Sequence, residues 1–252
     1  MKLFRIRGIQ LSLHVSFILL LGYVAWEGGT VAGTQGVFWS LLYTLSLFTS
    51  VTLHELGHAF AARRFGIGVS RILLLPIGGV AELESIPRRP RTEIIIALAG
   101  PAVNFLLIGL LLTIVRFPED WDSAYVPFNF AELGRHLVLV NLIMGGFNLI
   151  PVFPMDGGRV FRALLAMRLS YAKATRIAVR VGQCLAVIGA GVMALQFENY
   201  LGAALFIFIA SAAQREWRAV QRREAEEEAW RRSGHPWLIP GDEPAPKRGS
   251  SD

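Results

Sequence analysis

The chain has 252 residues, of which 53% are hydrophobic and only 17% charged, with a mean hydropathy of +0.46. That balance excludes an ordinary soluble domain and indicates a multi-span membrane protein. The net charge of +6 would suit nucleic acid, but the basic residues are distributed as a membrane surface requires. Cys184 is the single cysteine, which excludes an intrachain disulfide and a thiolate zinc cluster.

In chain order, Lys2, Arg5 and Arg7 precede a first apolar run over residues 9–26. It imitates a signal peptide, yet it lacks a small-x-small cleavage site and further spans follow, so a retained first helix is expected. Further apolar segments cover residues 37–63, 92–115, 133–150, 175–196 and 200–213. A spanning helix needs about 20 residues, and only the last falls well short. Residues 66–84 are broken by Pro76 and Gly78-Gly79, which predicts short strands or a re-entrant hairpin. That hairpin is either a loop packing Leu73–Leu75 on the helices or an exposed strand edge able to receive an extended peptide.

The expected fold class is therefore an all-α polytopic membrane protein. It has about six transmembrane helices and a short β-hairpin or re-entrant strand segment between the second and third. The expected division is a membrane-embedded domain over 1–213 and a cytoplasmic tail over 214–252. In the tail, the charged stretch 214–232 reads as a surface helix with Trp217 and Trp230 at the headgroups. Residues 233–252, rich in Pro, Gly and Ser, read as disordered.

An even number of spans with a basic N-terminus inside places both termini in the cytoplasm. Of the 25 basic residues, only Arg116 and Arg135 then fall outside, in a segment that also carries Glu119, Asp120, Asp122 and Glu132. Arg63, Arg64, Arg71, Arg88, Arg89, Arg91, Arg159 and Arg162 are among those inside. This positive-inside pattern explains the charge through the bilayer, without nucleic acid.

Within the second apolar run stands His54-Glu55-Leu56-Gly57-His58. Residues four apart share a helix face, so two imidazoles can meet one metal ion while Glu55 lies beside it as a base for water. Residues 37–62 carry no charge except Glu55, and ionisable groups in such a segment are costly and functional by default. With 1.5 Å of rise per residue, Glu55 lies roughly 10–12 Å below the cytoplasmic surface. Water must reach it through a cavity opening inward.

A catalytic zinc needs a third protein ligand. His14 sits at the interface and reads as a capping or packing residue, His136 lies on the outer side, and His235 is in the tail. The remaining candidate is Asp156, reached through Asn148 and a path broken by Pro151 and Pro154. Non-helical backbone at that depth is tolerated only when buried in protein or lining water. Asp156 also suits the N-cap of a helix beginning at Gly157-Gly158, and it can serve in both ways. Asn148 is either a helix-end residue or an amide donor to a substrate carbonyl.

The motif HELGH, followed by Pro76-Ile-Gly-Gly-Val-Ala81, Ala99-Gly-Pro-Ala-Val-Asn104 and Asn148-x-x-Pro-x-x-Pro-x-Asp156-Gly-Gly-Arg, closely resembles the site-2 protease family. Those proteins are intramembrane zinc metalloproteases, and the resemblance covers roughly residues 8–215. It implies that one Zn2+ is bound by His54, His58 and Asp156, that Glu55 activates water, and that Asn148 contacts the substrate backbone. Asn104, after a helix-starting Gly-Pro pair, is expected to pack between helices. Relatives often carry PDZ or CBS modules, and neither is expected here. The implied partners are a transmembrane protein substrate and the lipid bilayer, with no nucleic acid, and the oligomeric state is open. Two rivals stand beside this reading: a membrane HExxH protease acting on terminal or soluble segments, with a Glu as third ligand, and a non-proteolytic metal-binding membrane protein.

Overall fold

The computed structural model describes residues 1–76, 78–83, 89–115 and 128–232. Arg88, Arg116, Glu119, Asp120, Asp122, His235 and the segment 233–252 lie outside the described residues. The described chain forms β1 (Lys2–Ile6), β2 (Ile9–Leu13), α1 (Val15–Arg64), β3 (Val69–Leu75), β4 (Gly78–Leu83), α2 (Pro90–Ile114), α3 (Phe130–Asn148), α4 (Asp156–Ala166), α5 (Tyr171–Leu195) and α6 (Tyr200–Arg232). It separates into two compact units. The first holds residues 1–151 and 155–167, the second 152–154 and the chain from 168 onward.

Helix α1 merges the first two expected spans. It breaks at Ala32 (φ −143°) and Gly33, whose φ of 57° suits a residue without a Cβ. The arms 15–31 and 34–64 fold back on each other. A Cβ at Gly36 would fall 2.0 Å from the Gly28 carbonyl oxygen, the Ser40 hydroxyl donates to the Val24 carbonyl at 3.0 Å, and Phe17 meets Phe48 edge to face at 4.5 Å. The hydroxyls of Thr44, Thr49 and Thr52 each donate to the carbonyl four residues back. Those bonds satisfy polar groups within an apolar helix. His14 caps α1, its ring accepting from the Ser16 N–H.

Two expectations about the N-terminus are corrected. Residues 9–13 are a strand rather than the start of a helix, and the sheet has four strands in the order β1-β2-β3-β4 rather than a lone hairpin. Ile9, Leu11 and Leu13 alternate with Gln10 and Ser12 in the period-2 pattern of a strand, and Ser12 is buried as well. β2 runs parallel to β3, with Leu11 opposite Ile72 and Leu13 opposite Leu74. β1–β2 and β3–β4 are antiparallel. On β3 and β4 the exposed pair Arg71–Glu82 is bidentate, at 2.7 Å for both bonds. The guanidinium holds the Glu82 carboxyl below its ordinary range.

The sheet's inner face lies on the C-terminal half of α1. Ile9, Leu11, Val69, Ile72 and Leu74 bury against Leu56, Ala59 and Ala62, with Ile96 of α2 completing the cluster. The small Ala59 and Ala62, both fully buried, let strands approach the helix that carries the HExxH motif.

Among the described residues three helices, α1, α2 and α5, are long and apolar enough to cross a membrane. In the second unit α6 runs unbroken for 33 residues, so the expected short span 200–213 and the charged stretch after it form one helix. There Trp217 lies under the Arg176 guanidinium, 4.9 Å from the ring centroid.

Candidate metal centre

His54 and His58 lie one turn apart on the arm 34–64 of α1, both buried, at 4% and 7% exposure. Their Nε2 atoms are 3.1 Å apart. Asp156 directs Oδ2 to within 3.1 Å of His58 Nε2 and 3.3 Å of His54 Nε2. Together these three form the one group among the described residues with the donors to hold a metal ion.

Asp156 is the first helical residue of α4, whose N-cap is Met155 and whose first turn has no side-chain cap. Its carboxylate is therefore turned to the imidazoles, and the expected capping role is not taken up. Gly157 next to it is required by space, since a Cβ there would lie 2.3 Å from the Leu149 carbonyl oxygen and 2.4 Å from that of Ile150. The non-helical approach after α3 folds against the start of α4, and this aims Asp156.

Helix α2 supplies the opposite wall. A Cβ on Gly57 would meet the Ala99 carbonyl oxygen at 2.7 Å, and one on Gly100 would fall 2.2 Å from His58 Nε2 and 2.7 Å from His54 Nε2. The two glycines let the helix backbones close together, and Gly100 leaves free the position in front of both imidazoles. The donor set itself, two imidazole nitrogens and a carboxylate oxygen within 4.8 Å of one another, fits a zinc ion. Pro101 is inside α2, which begins at Pro90, so the expectation that Gly100-Pro101 starts a helix is corrected. The ring locks φ near the helical value and removes one N–H, a defect that neighbouring helices compensate in apolar surroundings.

Each imidazole has a partner on its far nitrogen. His58 Nδ1 lies 2.7 Å from the Ile96 carbonyl, and His54 Nδ1 lies 2.6 Å from Asn104 Oδ1. Asn104, fully buried, is thus tied to a candidate ligand as well as packed between helices. Asn104 in turn donates to Asn141 Oδ1 at 2.8 Å. Asn141 did not stand out in the sequence, although an amide seven residues before Asn148 in an apolar helix was a usable sign.

Glu55 lies beside β4. A Cβ at Gly79 would come 2.6 Å from Glu55 Cγ and 3.4 Å from its Oε1, so the glycine opens the space the carboxylate occupies. Asn148 ends α3, half-buried, with its amide donating to the Met144 carbonyl at 3.0 Å. His136 is set apart from the centre, its ring against Tyr43 at 5.1 Å.

Arg162, counted above with the cytoplasmic charges, is 1% exposed and pairs with Glu93, 4% exposed. Its Nε donates to Glu93 Oε1 at 2.9 Å. The pair fastens α4, which carries Asp156, to α2, which carries Gly100 and Asn104.

Residues 42–119 and 122–189 match peptidase family M50. A zinc metalloprotease of Methanocaldococcus jannaschii is 41% identical over 220 residues, covering 87% of this chain and 61% of that protein. The putative zinc metalloprotease Rip3 of Mycobacterium tuberculosis is 33% identical over 193 residues, 73% of this chain and 48% of its own length. Stage IV sporulation protein FB of Bacillus subtilis is 30% identical over 179 residues, 69% of this chain and 58% of its own. The chain thus spans between about half and three-fifths of these curated relatives. A solved structure, the site-2 protease from M. jannaschii, superposes with a TM-score of 0.60 at 39% identity, covering 86% of this chain and 94% of that one.

Proposed function

Since the chain belongs to peptidase family M50, the site-2 proteases, we propose that it is an intramembrane zinc endopeptidase. It hydrolyses peptide bonds within or near the transmembrane segments of membrane proteins. The observation that carries this reading is the convergence of His54, His58 and Asp156 on one point, with Glu55 alongside, in a helix apolar enough to cross a bilayer.

His54, His58 and Asp156 would hold the ion. Zinc there supplies Lewis acidity, polarising a carbonyl and bringing the pKa of a water toward about 7. Glu55 takes the proton from the attacking water and returns it to the leaving amine. Asn148 binds the substrate backbone through its Oδ1, or through the N–H of its amide that does not bond Met144. The outer edge of β4 receives the substrate in extended form, with main-chain hydrogen bonds giving affinity. Gly79 sets that edge against Glu55. A transmembrane helix conceals its peptide bonds in its own hydrogen bonds, so small or helix-breaking residues near the cut lower the cost of unwinding.

The two arms of α1 together with α2, α3, α5 and α6 make six crossings in this reading, with both termini cytoplasmic and the charged part of α6, residues 214–232, leaving the bilayer. The rival with a glutamate as third ligand finds little support, because Glu93, the buried glutamate of α2, is engaged by Arg162.

In purified protein Glu55→Gln should abolish cleavage of a membrane-embedded peptide while zinc stays bound. Undiminished cleavage by that variant would remove Glu55 as the base.

A further inference from the structure

Behind His54, away from Asp156, a line of buried side chains crosses three helices: Asn104 of α2, Asn141 of α3 and Ser50 of α1. Asn104 and Asn141 are fully buried and Ser50 is 5% exposed. His54 Nδ1 is 2.6 Å from Asn104 Oδ1, Asn104 Nδ2 is 2.8 Å from Asn141 Oδ1, and Asn141 Nδ2 is 3.1 Å from Ser50 Oγ and 2.8 Å from the Leu137 carbonyl.

The direction of every bond in this line follows from its last member. A backbone carbonyl can only accept, so the Leu137 oxygen requires the NH2 of Asn141 on its side. The Asn141 oxygen then faces Asn104 and requires the NH2 of Asn104. That leaves the Asn104 oxygen toward His54, where it can only accept, and Nδ1 must carry the ring proton. The Nε2 lone pair of His54 is thereby turned toward His58 and Asp156. A carbonyl or carboxylate on the far nitrogen of a metal-binding histidine fixes its tautomer and ring angle. His58 receives the same instruction in one step, from Ile96.

We propose that Asn104 and Asn141 are positioning residues that relay hydrogen-bond polarity from the Leu137 carbonyl to His54, holding it as the Nδ1–H tautomer competent to bind zinc. The proposal rests on the zinc reading above. It assigns the two amides unequal and dependent roles. Asn104 provides the acceptor, and Asn141 only decides which end of Asn104 faces the imidazole. A carboxylate at position 104 has two acceptors and no wrong end, so it needs no instruction from position 141, but its second oxygen then meets the Asn141 oxygen acceptor to acceptor.

The test is zinc affinity of the detergent-solubilised full chain, measured by competition with a chelator, with melting followed in parallel. Asn104→Leu should weaken zinc binding about 10–100-fold, the usual range for losing such a partner. Asn104→Asp keeps the acceptor for His54 and should bind zinc more tightly than Asn104→Leu, short of the parent protein because its second oxygen opposes that of Asn141. Asn141→Leu should weaken zinc binding severalfold alone and not weaken it when added to Asn104→Asp, where it removes the opposed oxygen. A merely structural amide would instead cost the same in both backgrounds, and that result overturns the relay, as does Asn104→Asp binding zinc no better than Asn104→Leu. If Asn104→Leu does not fold, the two-background comparison of Asn141→Leu carries the test. Asp156→Ala is measured alongside: unchanged zinc affinity there overturns the metal site itself, whereas zinc loss there with parental affinity in Asn104→Leu overturns the relay alone.

Discussion

The two compact units bury very different interiors. Among the described residues, the buried polar or charged side chains of the first unit are Ser12, Ser50, His54, His58, Glu93, Asn104, Asn141, Asp156 and Arg162, whereas the second buries Thr175. Thr175 is satisfied within its own helix, its hydroxyl donating to the Tyr171 carbonyl at 2.8 Å. In the second unit the buried positions of α5 and α6 are mostly small and apolar, Ala174, Ala178, Ala203 and Ala213 among them. Burying a polar group is expensive unless it is partnered. The first unit accepts that cost repeatedly and partners its groups across helices, and it is the unit that carries the candidate metal centre.

Three changes break or sharpen this contrast. The largest effect is expected at the buried ion pair. Arg162→Met leaves Glu93 as a buried charge without its guanidinium and should destabilise the first unit by about 3–5 kcal/mol. The double variant Glu93→Leu/Arg162→Met should regain much of this in a thermal or denaturant melt. A loss below about 1 kcal/mol in the single variant would mean that the pair does not fasten α4 to α2.

Gly100→Ala comes next. Its methyl enters the space before the two imidazoles, an overpacking of about 1–3 kcal/mol. It should appear in chelator competition as weakened zinc binding, and unaltered affinity would show that the space has slack. Thr175→Val should have the smallest effect, within about 1 kcal/mol, since it removes a local bond already made within one helix. Zinc affinity should not change, and a change there would place the second unit in the chemistry after all.

The candidate centre was legible in the sequence where polarity contradicted its surroundings. His54, Glu55 and His58 interrupt an apolar run, and Asp156 follows two prolines, so each was conspicuous by position. Their supports were not. Asn104 and Asn141 are uncharged and read as ordinary packing. Arg162 was absorbed into a tally of cytoplasmic charge, though it is deeply buried against a glutamate that opens α2. Helices α2, α3 and α5 fell close to their expected bounds because apolar length is a strong signal. The sheet was half missed for the opposite reason. Its second strand is five residues long and abuts the apolar α1, so its alternation was swallowed by the longer run. The parallel partner of β2 lies beyond the whole of α1, where no local pattern could announce it.

That parallel pairing has a consequence for how the chain assembles. Leu13 pairs with Leu74, and the His14 N–H bonds the Leu74 carbonyl at 3.0 Å, so these two points close a ring of chain around all of α1. Closing a long ring carries an entropic cost that only later contacts repay, and such contacts form slowly. Once α1 is helical, the β2–β3 ladder can zip only with the arms of α1 folded back on each other. It acts as a latch, whose amide protons report that the helix bearing His54 and His58 has reached its final place.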